Sequence, residues 1–544
     1  MGFPQRLLRL LRPSHEHSAF SATVFLMGTV MLSRIIGYLR EAYIAFAFGA
    51  GPQTDAYVAA FTLPDWLNYL VAGGTASITF ISIYTRFLAE KREQEAQHTF
   101  SVIITVMTAV LGVGIGVAEI FAPNIERHLF PHFGAAQLQL CVHLTRILLP
   151  AQLFFYVGGV VSAVLLSRRL FLFPALGPLL YNVSIILGGI VLAGRLGISS
   201  LAYGALTGSF LGPFLVNAIG ARRVGTGYSP SLNLRNPAFL EWVKLSIPLM
   251  LGVSLVTADD WILRFFASGG AGDITRLNYA KRLLAVPIAV LGQATGQASL
   301  PFFARLFGEK RMQEFEQTVS NSVYRISAVS FLVTALMMST ALPVVDLVYR
   351  RGRFQFSDSR ETAIYFFWFA LSLAFWSAQA LYSRAFYAAS NTLTPMIAGT
   401  IITLASLPIY SLLFRSFSVM GLAIASDVGI VANAVVLAWL LHQRRLVRVS
   451  TLPLLELGKA FAISVIAWVL SFGVARAIPL DGTSRVRELC SIGLAFLTWA
   501  AATAAGLWLT RSELPAMLRA RARRTTYPHV AEKHAEELSA GIEP

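Results

Sequence analysis

Apolar residues in this chain come in blocks of about 20, long enough to cross a hydrocarbon core of about 30 Å, and the blocks recur from Thr23 almost to Leu509. Read with a window of about 19 residues, the pattern predicts spans near 22–48, 56–86, 100–122, 138–166, 172–194 and 198–220. A second group follows near 238–267, 277–304, 317–348, 361–388, 394–415 and 418–442, and a last pair near 455–477 and 487–509. The fold class is an all-α polytopic membrane protein with about 14 transmembrane helices. No stretch is left for a sizeable soluble domain.

The polar stretches between the spans contain an internal repeat. The segment GAGPQTDAYVAAFTLP is followed by EKREQEAQHTFS, and GAGDITRLNYAKRLLAVP by EKRMQEFEQTVS, so that E-K-R-x-Q-E-x-x-x-T-x-S begins at Glu90 and again at Glu309. The two copies are separated by an even number of spans, which gives both halves the same orientation in the membrane. Two pseudo-symmetric six-helix lobes are expected, related by an axis along the membrane normal, with a cavity at that axis. The expected boundaries are 1–21 for a cytoplasmic lead-in that is not cleaved, 22–221 for the first lobe, 237–442 for the second, 455–509 for the helix pair and 510–544 for a basic tail.

Charge refines this picture. The chain has 544 residues, 56% hydrophobic and 13% charged, with a formal net charge of +16. Its basic residues fall in short clusters between apolar runs (Arg86, Lys91 and Arg92; Arg168 and Arg169; Arg222 and Arg223; Lys310 and Arg311; Arg444, Arg445 and Arg448) and form no continuous face, which argues against nucleic acid as a partner. Lys and Arg gather on the cytoplasmic side of membranes, so both termini are expected there, with Arg519, Arg521, Arg523 and Arg524 in the tail. The loop with Arg350, Arg351, Arg353 and Arg360 breaks the rule: it either binds something anionic or marks a local error in the assigned topology. Two cysteines, Cys141 and Cys490, give no basis for a disulfide framework or a thiolate metal site. The sequence holds no nucleophile elbow, P-loop, HExxH or other metal-ligand pattern, so no catalytic or metal residues are assigned, and a transporter is favoured over an enzyme.

An ionisable side chain at the centre of a span costs about 2.5–3.5 kcal/mol on insertion scales, which makes each one a functional candidate. In SRIIGYLREA, Arg34 and Arg40 lie on either side of a gap left by Gly37, and two guanidiniums so placed can clamp a phosphate. The blander alternative is that one of them pairs with Glu41 or snorkels to the interface. In YAKRLLAVP the repeat sets Lys281 and Arg282 at a place corresponding to the stretch before Pro64, where they either meet the first-lobe arginines across the cavity or set topology. Asp55 follows the first GAG turn. Asp260 and Arg264 have the spacing of an internal ion pair; Asp259 and Asp260 are possible coupling-ion residues, and Asp259, like Asp427, is alternatively a structural hydrogen-bonding one. No cofactor is expected beyond a coupling cation or the membrane potential.

The segment SRIIGYLREAYIAFAFGAGPQTDAYVAAFTLP resembles the opening of the lipid II flippases of the MurJ (MviN) family, in the multidrug/oligosaccharidyl-lipid/polysaccharide exporter superfamily. FPALGPLLYN, YAKRLLAVP, RRGRF and FYAASNTLTP resemble further segments of that family, in order, over about 440 residues. The resemblance implies two lobes around a V-shaped cavity, two C-terminal helices bordering a groove for a lipid tail, and alternating-access transport of the undecaprenyl-pyrophosphate-linked peptidoglycan precursor across the bacterial inner membrane. It implies pyrophosphate binding by Ser33, Arg34, Arg40 and Arg282, and a gating or ion-pair role for Asp55, Glu41 and Lys281. The implied partners are the lipid-linked pyrophosphate and membrane lipid, with cell-wall synthesis machinery a further candidate; a monomer is expected. The sequence departs from the family at Asp65, Asn68 and Tyr69, at Gly73 and Gly74, and at Lys281, which leaves open a flippase for another polyprenyl-pyrophosphate-linked glycan. A cation-coupled drug exporter is disfavoured, because its cavity would hold unpaired acids where this chain places arginines.

Overall fold

The computed structural model describes residues 19–69, 75–168, 170–251, 255–480 and 484–516. The proposed lead-in up to residue 18, Gly73, Gly74, Arg169 and the tail arginines Arg519, Arg521, Arg523 and Arg524 lie outside the described residues.

Every regular element among the described residues is helical. The first half of the chain forms α1 (Ala19–Phe48), α2 (Pro52–Ala59), α3 (Thr62–Leu67), α4 (Thr75–Ala89), α5 (Glu93–Leu129), α6 (Ala135–Leu148), α7 (Ala151–Ser167), α8 (Leu172–Leu196), α9 (Ser199–Ser209) and α10 (Asn217–Arg223). The second forms α11 (Pro237–Leu251), α12 (Leu255–Phe266), α13 (Asp273–Pro287), α14 (Thr295–Gly308), α15 (Met312–Ser339), α16 (Ala341–Tyr349), α17 (Phe356–Leu371), α18 (Leu373–Ala388), α19 (Leu393–Gln443), α20 (Leu454–Ala477) and α21 (Arg485–Leu509).

Nine helical stretches among the described residues are long and apolar enough to cross a membrane, or ten with the bent pair α17–α18 taken as one span. The remaining predicted spans carry charges or breaks. Helix α1 contains Arg34, Arg40 and Glu41, and the second span is interrupted between α2 and α3 at Ala60 and Phe61, just before Pro64. Prolines, which remove a backbone donor, accompany two local widenings: Pro213 lies within the π-helical stretch Phe210–Val216, and Pro287 directly precedes Ile288–Ala294. The 51-residue α19 holds two predicted spans, divided at Ser418, whose φ of 54° and ψ of −143° are not helical.

The chain divides into two compact units. The first comprises the described residues within 1–253, 257–278 and 349–358. Its core includes Phe80, Tyr84, Phe100, Tyr156 and Trp242. Helices α8 and α9 approach closely because glycines face backbone: a Cβ on Gly204 would lie 2.7 Å from the Ser184 carbonyl oxygen, and one on Gly212 would lie 2.3 Å from that of Gly177. Small residues are what permit such packing where lipid supplies no hydrophobic drive between helices.

The second unit comprises the described residues within 254–256, 279–348 and 359–544. One core joins Phe303, Phe315, Leu381, Phe386 and Leu437, and another ties Tyr324, Leu332 and Ile463 to Leu514. The Trp499 indole N–H donates to the Leu332 carbonyl at 2.7 Å, which fastens α21 to α15.

The repeat motif builds the same turn twice. After α4, Lys91 takes φ 59°, the Arg92 amide bonds the Phe87 carbonyl, and the Arg92 guanidinium spans Glu90 (2.6 Å) and Glu95 (2.6 and 2.7 Å). After α14, Lys310 takes φ 58°, the Arg311 amide bonds the Leu306 carbonyl, and Arg311 spans Glu309 (2.8 Å) and Glu314 (2.7 and 2.8 Å). The hydrogen bond from Arg92 holds the Glu95 carboxyl below its ordinary range, and those from Arg305 and Arg311 do the same for Glu309.

Candidate functional site

Two polar sites occupy the first unit. One is in α1. Arg34 is exposed and has no hydrogen-bond or ion-pair partner among the described residues, while the neighbouring Ser33 is half-buried. Arg40 is different. One terminal nitrogen of its guanidinium donates to the Asn182 side-chain oxygen at 2.9 Å, the other pairs with Glu41, and only 16% of its side chain is exposed. The blander expectation for Arg40 is therefore the geometry observed, and the two arginines differ in kind. Gly37 leaves space that α8 uses: a Cβ there would lie 3.9 Å from the Asn182 side-chain nitrogen.

The second site is built on glycine turns. Helix α1 ends at Gly49 (φ 72°), and its end meets the loop after α16, where the Arg353 amide donates to the Phe46 carbonyl at 3.0 Å. Gly352 (φ 56°) permits this approach, since a Cβ there would sit 2.3 Å from the Phe46 oxygen. The basic loop thus has a structural job, and the Arg351 and Arg353 side chains remain exposed.

Asp55, 0% exposed, accepts from the Gly272 amide (2.5 Å), the Thr275 amide (2.9 Å) and the Thr275 hydroxyl (2.7 Å). It caps α13 from another part of the chain, where a carboxylate satisfies amides that a helix start leaves without partners. Among the described residues the hydrogen bonds to Asp55 come from amides and a hydroxyl, because the helix start places these donors against its carboxylate. Arg276 then bridges Asp273 (3.1 Å) and Asp358 (2.8 Å), and Asp358 also accepts from the Gln355 amide at 2.9 Å. The openings of both sequence repeats and the segment 349–358 are in this way tied into one hydrogen-bonded latch.

The pair expected between Asp260 and Arg264 does not form. Arg264 reaches Thr62 (3.0 Å) and Asp65 (3.4 Å) on α3, and Asp260 is exposed. Its neighbour Asp259 is 1% exposed. Close to Arg264, the fully buried Glu126 accepts from the Thr145 hydroxyl at 2.8 Å. Beside Asp65, the altered position Tyr69 joins an aromatic cluster, with Trp66 and Tyr69 set edge-on to Trp261 at 5.6 and 5.9 Å.

In the second unit Arg282 is exposed, Lys281 is half-buried and Asp427 is buried. An apolar cleft of about 600 Å³ runs beside α20, lined by Phe331, Met338, Trp368, Phe375, Phe461 and Trp468. Asn182, Arg276, Asp358 and Glu126 escaped the sequence reading. Asn182 was within a family-like segment, but its contact with Arg40 bridges 142 residues and has no local signature.

A family model described as lipid II flippase MurJ matches residues 44–479. The lipid II flippase MurJ of Burkholderia cenocepacia is 30% identical over 354 residues, which cover 62% of this chain and 66% of the relative. A relative from Bdellovibrio bacteriovorus, described as a probable lipid II flippase MurJ, is 25% identical over 447 residues, with 79% and 85% covered. Among solved structures, a lipid II flippase MurJ in an inward closed conformation superimposes with a TM-score of 0.75 at 21% identity, covering 89% of this chain and 99% of that one. An inward-facing multidrug resistance MATE family transporter of the MOP superfamily gives 0.62 at 14% identity, with 76% and 94% covered. The structural likenesses establish a shared fold, and the family match, which takes in most of the sequence, establishes more: the chain belongs to the lipid II flippase MurJ family.

Proposed function

We propose that this protein is a flippase that carries lipid II, the undecaprenyl-pyrophosphate-linked peptidoglycan precursor, from the inner to the outer leaflet of a bacterial inner membrane. The observation that carries the reading is the family match across residues 44–479. The site chemistry supports it. Arg34, a cation within a predicted span, has no ion-pair partner among the described residues, and a pyrophosphate supplies the missing charge. Arg40, though paired with Glu41, and Arg282 on α13 complete the proposed set, with Ser33 as a hydroxyl donor. No bond in the cargo need change, so the protein acts as a transporter. In this reading the two lobes follow the boundaries expected from the repeat, both termini are cytoplasmic, and the protein works as a monomer. The apolar cleft beside α20 accommodates the isoprenoid tail.

The Asp55 latch is, on this reading, a gate. It joins the openings of the two repeats, and it has to part for the head group to leave.

The test is complementation of a strain depleted of its own lipid II flippase. The unmodified gene is expected to restore growth, and Arg34→Ala to abolish rescue while the protein stays inserted. Rescue by the Arg34→Ala variant at normal expression overturns the assignment of that residue. The Trp66, Tyr69 and Trp261 cluster favours a second reading, a flippase for a different polyprenyl-pyrophosphate-linked glycan; failure of the well-expressed unmodified gene to rescue decides for it.

A further inference from the structure

We infer that Asn182 is the positioning residue for Arg40, a neutral acceptor that fixes which edge of the guanidinium is presented to a pyrophosphate. The inference rests on the proposed role of Arg40 and goes beyond it. Asn182 works from α8 on a residue of α1. Its oxygen accepts from Arg40 at 2.9 Å, while its own NH2 donates to the Pro178 carbonyl at 3.0 Å. The second bond determines the first, because flipping the amide would turn NH2 against the guanidinium and leave both donors facing each other. Gly37 preserves the space beside that amide, with a hypothetical Cβ only 3.9 Å from its nitrogen.

The count of donors shows what is left for a ligand. A guanidinium has about five N–H groups. One goes to Asn182 and one to Glu41, so the other three remain for phosphate oxygens. An unrestrained arginine would have to order its long side chain at the moment of binding, whereas Arg40 is held at two points beforehand.

The choice of asparagine over aspartate has a chemical reason. Both offer the guanidinium an accepting oxygen, but only asparagine also carries the NH2 that the Pro178 carbonyl takes. Glu41 already balances the charge of Arg40. A second carboxylate would turn the group net negative and repel the pyrophosphate at close range. Asn182 supplies the orienting acceptor without that charge.

The experiment uses the purified full chain in detergent and equilibrium binding of farnesyl pyrophosphate, a short-chain polyprenyl pyrophosphate. Asn182→Ala is expected to weaken binding about tenfold, in line with loss of a hydrogen bond to a charged group. Asn182→Asp, with nearly the same shape, is expected to weaken it at least as much, since it adds a negative charge and loses the donor to the Pro178 carbonyl. The Arg40→Ala/Asn182→Ala double variant is expected to bind no more weakly than Arg40→Ala alone, since a residue acting through Arg40 has nothing left to position. Wild-type binding by Asn182→Asp, or losses that add in the double variant, overturns the role of Asn182 and leaves the site reading intact. Wild-type binding by both Arg34→Ala and Arg40→Ala overturns the site reading itself, and the inference falls with it.

Discussion

Replacing Asp55 by asparagine tests the latch with a change of one atom. The carboxylate takes hydrogen bonds from Gly272 and Thr275 through both of its oxygens, at 2.5–2.9 Å, and is 0% exposed. An asparagine keeps one oxygen for Thr275 but sets its NH2 against the Gly272 amide, so at least one charge-assisted bond is lost. Such a bond contributes about 1.5–3 kcal/mol, which multiplies the open population by about 10–150-fold. The two amides themselves report opening. Hydrogen–deuterium exchange, followed by mass spectrometry with fragmentation across residues 270–280, should show the Gly272 and Thr275 amides exchanging faster by that factor in Asp55→Asn. Exchange at Thr275 within a factor of about two of the unmodified protein would refute the reasoning, because the carboxylate would then contribute nothing to closure.

Three further outcomes are expected. Arg40→Ala strips the largely buried Glu41 of its guanidinium, a change that costs about 3–5 kcal/mol, whereas Arg34→Ala breaks no hydrogen bond or ion pair among the described residues. Thermal midpoints in detergent should fall for the first and not for the second, and a Glu41→Gln exchange added to Arg40→Ala should recover most of the loss. Ser418 takes a φ and ψ otherwise reserved for glycine, close to those of Gly197 (φ 55°, ψ −137°) at the corresponding turn of the first half. Ser418→Gly should relieve about 1–3 kcal/mol of strain and raise the midpoint, and a fall would contradict that account. The turn at Glu95 should respond to acid: its carboxyl lies below the ordinary value of 4.5, so the stabilisation is present above that pH and lost as pH falls through the lowered value. Amide exchange in the 90–96 turn, corrected for its intrinsic pH dependence, should be flat from pH 7 to about 5 and rise below about 4, with Glu95→Gln abolishing the step.

Much of this protein was legible in its sequence because the bilayer imposes a simple rule. A backbone in hydrocarbon must satisfy its own hydrogen bonds, so an apolar block of sufficient length is a helix. The repeat at Glu90 and Glu309 was legible for a related reason: the turn is closed by residues within five positions of one another, and the same letters reproduce the same geometry. The arginines of α1 stood out because charge is rare in such a segment.

The state of each charge was decided only in three dimensions. Arg34 and Arg40 are six residues apart in one helix, yet one has no hydrogen-bond or ion-pair partner among the described residues and the other is held twice, by its neighbour Glu41 and by Asn182 from α8. Asp55 became a cap for a helix that begins more than 200 residues later, and Arg264 left the acid one turn away for Thr62 and Asp65. Apolar length fixes where a helix runs, since it depends on a local average over residues. The partner of a buried polar group depends on which donors and acceptors the packed helices bring within about 3 Å, and that only the tertiary structure supplies.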